Sequence, residues 1–149
     1  MRAIVQRVKY AKVTVDNQIV GQIAAGLLVY LGVGKGDDES DAVFIADKIS
    51  NLRIFADDDG KMNLNVKDMT KQLLIISNFT LYGDCRKGRR PGFDLAAEPQ
   101  IAEKLYEKVC EHIKAEGLTV QKGIFAADMD VTASNDGPIN FLLDSKRLF

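Results

Sequence analysis

The sequence has 149 residues, 46% of them hydrophobic and 28% charged, with a net charge of −1. That mixture predicts a single folded domain over residues 1–149 and argues against long disorder. The near-neutral balance argues against a general nucleic-acid coat but leaves room for a local basic patch, and the longest apolar stretch, 23–33, is too short to cross a bilayer.

The first thirty-three residues predict a series of strands. Ile4, Gln6 and Val8 alternate with Val5 and Arg7, so the N-terminus reads as a strand and not as a signal peptide. Lys12 to Asp16 continues the β-branched pattern, and Asp16-Asn17-Gln18 predicts a hairpin turn into Ile19–Ala24. Leu27–Val33 is nearly continuous in apolar residues, as in a strand buried on both faces.

A helix is predicted next, because Ala42, Ile45, Ile49 and Leu52 fall at helical spacing behind the acidic Asp37-Asp38-Glu39. Arg53-Ile54-Phe55 predicts a short strand closed by a turn at Asp57–Gly60, and Gln72–Leu81 predicts the strongest strand. A second helix is expected from Pro99 to Glu116, with Ile101, Leu105, Val109 and Ile113 as its apolar stripe and Gly117 as its stop. Thr119–Ile124, Asp128–Ala133 and Ile139–Asp144 return to strand. The expected class is layered α/β, with a curved, barrel-like, mostly antiparallel sheet covered by two helices.

Several common motifs fail. Gly32–Gly36 invites a phosphate-loop reading, but the required glycine and Ser/Thr positions hold Val29 and Gly36. Asp57–Gly60 resembles a calcium loop in composition only, since the first ligand would fall on Phe55. Cys85 and Cys110 read as free thiols. The sole histidine, His112, reads as a partly exposed helical residue and cannot build a zinc site with those cysteines. Neither a metal nor a cofactor is expected, and a Ser-His-Asp or Cys-His mechanism finds little support.

Two polar segments stand out: Ser77-Asn78-Phe79-Thr80-Leu81 and Asn135-Asp136-Gly137-Pro138-Ile139-Asn140. Separately they read as a strand end and a turn between strands. In this order they resemble the two signature motifs of the D-aminoacyl-tRNA deacylase family. The likeness covers almost the whole chain, through Met1–Val15, Arg53-Ile54-Phe55, Gly60–Leu64, Arg90-Pro91 and Gly123–Met129. Three positions depart from the family pattern: Asn78 stands where Gln is usual, Asn140 where Thr is usual, and Gly92 where Ser is common.

The resemblance implies a cytoplasmic homodimeric hydrolase that cleaves the ester of D-aminoacyl-tRNA, and glycine mischarged on alanine tRNA. It implies a cis Gly137-Pro138 element that rejects L-esters and reaches into the partner subunit's site. Ser77, Phe79 and Thr80 would form the opposing catalytic wall, with backbone N–H groups near Phe79 and Thr80 facing the oxyanion. Asn78, Phe125, Met129 and Asn135 would bind substrate, with Phe125 and Met129 against the terminal adenosine. Arg86, Lys87, Arg89 and Arg90 put four positive charges into five residues, a candidate contact for tRNA phosphates. No side-chain base is evident for Thr80, which favours direct attack by water. The alternatives are a non-catalytic RNA-binding module and a small esterase that uses Thr80.

Overall fold

The computed structural model describes residues 1–69 and 72–149. Its strands are β1 (Arg2–Val15), β2 (Gln18–Ile23), β3 (Gly26–Gly32), β4 (Phe55–Ala56), β5 (Met62–Leu64), β6 (Gln72–Ser77), β7 (Thr119–Lys122) and β8 (Asp130–Asp144). The helices are α1 (Glu39–Asn51) and α2 (Pro99–Ala115). The main sheet runs β2-β1-β3-β6-β7, β8 pairs with β1, and β4-β5 form a separate ribbon. β1 pairs antiparallel with β2, β3 and β8, whereas β3-β6 and β6-β7 are parallel. The result is the expected mixed α/β architecture with a nearly closed, barrel-like sheet and two helices.

One strand serves two cores. Ala3 and Val5 of β1 belong to the cluster beneath the helices, whereas Val8, Ala11 and Val13 belong to a second cluster inside the curved sheet. The inward face switches where the β1-β8 register shifts, between Gln6 and Val8 and again between Val8 and Tyr10. Such irregularities bend a strand and re-aim its side chains. β3 and β6 divide the two cores. Leu27, Val29, Leu31, Leu73 and Ile75 point to the first, and Leu28, Leu74 and Ile76 to the second. Burial on both sides explains their unbroken apolar sequence.

The helix ends follow local chemistry. Asp38 caps α1 by accepting from the Ser40 and Asp41 N–H groups, while the Asp41 side chain accepts from the Asp38 N–H in a capping box. α2 opens at Pro99, and Gly117 (φ +84°) ends it in a conformation most side chains avoid. Of its expected stripe, Leu105, Val109 and Ile113 are buried, but Ile101 is 53% exposed. Helical spacing alone therefore does not bury Ile101.

Two strand assignments change. The strand expected over Gln72–Leu81 ends at Ser77, and Phe79–Tyr82 forms a 3-10 helix. Asp128–Ala133 and Ile139–Asp144, expected as two strands, are parts of the continuous β8. Gln6 pairs with Asn140 and Val8 with Asn135, so Asp136–Ile139 bulges out of the ladder opposite Arg7. The long partner β1 carries the pairing past residues that favour turns.

Candidate active site

The three parallel strands β3, β6 and β7 end on the same side of the sheet, where open α/β sheets commonly bind ligands. The segments that follow them converge there on a cavity of about 650 Å³. Val33 follows β3, Ser77 ends β6 and leads into Asn78–Thr80, and Phe125–Met129 follows β7. Ala97, Pro99 and Ala102 close the side nearest α2, and Tyr30, Ile76 and Val131 reach in from the second core.

Asn78 organises the first wall. Its side-chain Oδ1 accepts from the Thr80 N–H at 3.0 Å and from the Thr80 hydroxyl at 2.5 Å. A backbone N–H can only donate, so the atom facing Thr80 must be the amide oxygen. The hydroxyl therefore gives its proton to Asn78, leaving its lone pairs free. Asn78 also caps the 3-10 helix, whose last turn closes through Gly83 N–H to the Thr80 carbonyl. With the Asn78 and Thr80 N–H groups engaged, the Phe79 N–H is a backbone donor on this wall with no acceptor among the described residues. The Phe79 ring stands 57% exposed at the lip and packs edge-on against Phe93, centroids 5.0 Å apart.

The second wall is braced from behind. Phe125 packs against Tyr106 with ring centroids 6.1 Å apart, and the Tyr106 hydroxyl donates to the Ile75 carbonyl at 2.8 Å. Burial pushes the Tyr106 phenol far above its ordinary range and the Cys110 thiol up to about 12, so both stay neutral. Cys110 is consequently no nucleophile. A Cβ on Gly123 would lie 2.5 Å from the Met129 sulfur, so glycine there lets the thioether lie close over β7. Ala126, at the rim, holds φ +59° without being glycine.

The second motif lies outside this cavity. The Gly137-Pro138 peptide is cis, and both residues are exposed. The Asn135 side-chain amide is turned to the backbone, donating to the Arg7 carbonyl at 2.8 Å and the Ile139 carbonyl at 3.3 Å. The Arg7 Nε lies 3.0 Å from the Asp136 carboxylate, and its Nη1 donates to the Ile54 carbonyl at 2.7 Å. The projecting segment is thus clamped from both strands.

The basic loop is exposed, beyond the 3-10 helix. Arg86 is bound to Asp84 through Nε at 2.9 Å and Nη2 at 2.7 Å, and those bonds hold the Asp84 carboxyl down to about 2. Among the described residues, Lys87, Arg89 and Arg90 have no acidic partner.

Ser77, Asn78, Phe79, Thr80, Phe125 and Met129 thus meet in one cavity, while Asn135, Gly137, Pro138 and the basic loop do not join them within one chain. Tyr30, Ala96, Ala97 and Ala102 escaped sequence reading. Only Tyr30 left a trace there, as the one polar group inside the run Leu27–Val33. The failed motifs remain ordinary structure. The Gly34 N–H donates to Asp37 at 2.6 Å, and half-exposed His112 lies 3.5 Å from Glu116, away from the cavity. Among the described residues no group of His, Cys, Asp or Glu is arranged to hold a metal, and no helix is long and apolar enough to cross a membrane.

Comparison with known proteins gives this geometry a family. Residues 4–144 match the family described as D-Tyr-tRNA(Tyr) deacylase. The chain is 56% identical to a D-aminoacyl-tRNA deacylase of Fervidobacterium nodosum, over all of both chains. It is also 56% identical to one of Clostridioides difficile, over all of both chains. Among solved structures, it superposes on a c-Myc DNA unwinding element binding protein with TM-score 0.91 and 36% identity, covering 97% of this chain and 98% of that one. A structure described as a probable eukaryotic D-amino acid tRNA deacylase shares the fold at TM-score 0.81 and 16% identity, covering 95% and 97%. With a family match spanning nearly its full length, the chain belongs to the D-aminoacyl-tRNA deacylases, hydrolases that act on aminoacyl-tRNA.

Proposed function

We propose that the cavity hydrolyses the ester of D-aminoacyl-tRNA while L-esters are turned away by Gly137-Pro138 of the partner subunit in a cytoplasmic homodimer. The observation that carries this reading is the convergence of Ser77–Thr80 and Phe125–Met129 on one cavity at the ends of the parallel strands. The 3′-terminal adenosine lies against Phe125 and Met129, with the ester carbonyl at Phe79 and Thr80. Water adds to that carbonyl and the Phe79 N–H receives the developing oxyanion. Collapse breaks the bond to the ribose oxygen, which takes the proton from the water, releasing D-amino acid and tRNA.

In this reading Thr80 positions water and is not the nucleophile. Its proton is committed to an amide oxygen, which is no base at neutral pH, and its free lone pairs suit a hydrogen bond from the attacking water. A role for Gly137-Pro138 in another subunit is supported by the exposure of both residues and by the clamps at Asn135 and Arg7. Leu142, 62% exposed on the same strand, offers apolar surface for such an association. Exclusion of one hand admits glycine, so glycine on alanine tRNA is a second substrate. Lys87, Arg89 and Arg90 meet acceptor-stem phosphates, with Arg86 holding the loop through Asp84.

Single-turnover deacylation of D-Tyr-tRNA against L-Tyr-tRNA, run with Thr80→Ala, tests this reading. Rapid loss of the D-ester alone is expected, with the variant slowed and not abolished. Binding of tRNA with neither ester cleaved sinks it in favour of the RNA-binding module. Cleavage of simple esters with complete loss in Thr80→Ala favours the Thr-dependent esterase.

A further inference from the structure

The cavity contains a polar group that neither signature motif supplies. Along β3, Leu27, Val29 and Leu31 face the core under the helices, while Leu28 and Tyr30 face the second core. Tyr30 pairs with Ile76 on β6, and it packs against the second core as Met129 and Val131 do; all four residues line the cavity. It is half-buried, so its ring rests on apolar neighbours.

The chain has two other substantially buried tyrosines, and the contrast with them is informative. The Tyr106 hydroxyl donates to the Ile75 carbonyl at 2.8 Å, and the Tyr82 hydroxyl donates to Asp37 at 3.2 Å. Among the described residues the Tyr30 hydroxyl has no such partner, although it borders the cavity. A phenol on an apolar wall normally finds an acceptor or donor. Burial pushes its ionisation above the ordinary phenol range, so at neutral pH it keeps its proton and can both donate and accept.

We propose that the Tyr30 hydroxyl hydrogen-bonds the edge of the terminal nucleobase of the tRNA, making Tyr30 a specificity-determining residue of the deacylase site. This rests on the reading above, in which the adenosine lies against Phe125 and Met129. Tyr30 and Met129 rest on the same second core, which does not include Phe79 or Thr80, where the ester belongs. Its hydroxyl therefore sets how tightly the 3′ end is held and not how fast the ester breaks.

The test is single-turnover deacylation of D-Tyr-tRNA by wild type and Tyr30→Phe over a range of enzyme concentrations. The expected result is a half-saturating concentration about five- to tenfold higher in the variant, as for loss of one hydrogen bond, with the saturating rate within about twofold. Substrates whose terminal base is 1-deaza-, 3-deaza- or 7-deazaadenine, or purine lacking the 6-amino group, then locate the contact. One of them should lose affinity with wild type and lose nothing further with Tyr30→Phe. An unchanged half-saturation overturns the proposal, as does a loss confined to the saturating rate. A loss that varies between D-Tyr and D-Ala esters but not among bases assigns Tyr30 to the amino-acid side chain and also overturns it. Should wild type cleave no D-ester, the deacylase-site reading itself fails, an outcome distinct from an unaltered variant of an active enzyme.

Discussion

The segments Ser77–Thr80 and Asn135–Asn140 are held by the same chemistry and face opposite ways. In each, an asparagine side chain ties the segment to backbone: Asn78 to the Thr80 N–H, and Asn135 to the Arg7 and Ile139 carbonyls. The first segment is drawn inward to form a cavity wall. The second bulges out of the β1-β8 ladder and exposes Gly137 and Pro138. In the proposed homodimer, a two-fold association would set this wall of one subunit against this projection of the other. Stiffness matters to both halves, because neither a wall nor a projection discriminates by shape if it yields.

The projection should be the more sensitive half. Gly137 has φ +125°, and a Cβ there would meet Ile139 Cγ1 at 2.7 Å and its backbone nitrogen at 2.8 Å. Gly137→Ala must move the segment, and a displacement near 1 Å at a reacting geometry costs on the order of a hundredfold in rate. We expect D-ester deacylation to fall at least about that far, with L-ester rejection weakened, as measured on both esters. An unchanged D/L ratio would separate the projection from selection.

The wall should respond less. Asn78→Ala removes the cap and frees the Thr80 hydroxyl. Loss of such a cap typically costs about 1 kcal/mol of stability. The saturating rate should fall about tenfold as Thr80 loses its orientation. Asn78→Asp keeps an acceptor in the same place and should recover most of that rate. If Asn78→Ala alters the melting temperature and leaves the rate alone, Asn78 is only a cap.

How much of this was legible in the sequence depended on whether the signal was local. Asp38, Pro99 and Gly117 fixed helix ends because capping is settled within a few residues. The unbroken apolar β3 announced burial on both faces. Ser77–Leu81 misled, since Phe79 and Thr80 are good strand residues, whereas the chain there forms a 3-10 helix capped by the Asn78 side chain. Asn135–Asn140 misled in the other direction, because its turn residues lie opposite a strand long enough to carry pairing across them. Tyr30, Ala97 and Ala102 join the cavity through packing between elements far apart in sequence, which no local pattern records.

Between wall and projection lies the question of what draws the substrate in. With Arg86 neutralised by Asp84, three cations remain in the basic loop without an acidic partner among the described residues. Replacing Lys87, Arg89 and Arg90 together by Ala should weaken tRNA binding several-fold at moderate salt. The slope of log affinity against log salt should flatten by roughly 0.7–0.9 for each phosphate no longer neutralised. A uniform loss with an unchanged slope would mean that these side chains shape the loop and do not meet phosphate.

The smallest effect should come from the rim of the wall. Ala126 holds φ +59°, where the Cβ crowds the carbonyl oxygen and a residue other than glycine is disfavoured by roughly 1–2 kcal/mol. Ala126→Gly relieves that crowding but gives the unfolded chain more freedom, so the net gain in stability should be under about 1 kcal/mol. The two contributions part company in function. If the left-handed residue holds Phe125 and Met129 in register with Ser77–Thr80, the variant will melt slightly higher and still bind tRNA about twofold more weakly, because the wall has gained freedom. If it melts higher and binds as before, the rim is passive, and the rigidity of the wall resides in Tyr106 behind Phe125 and in Asn78.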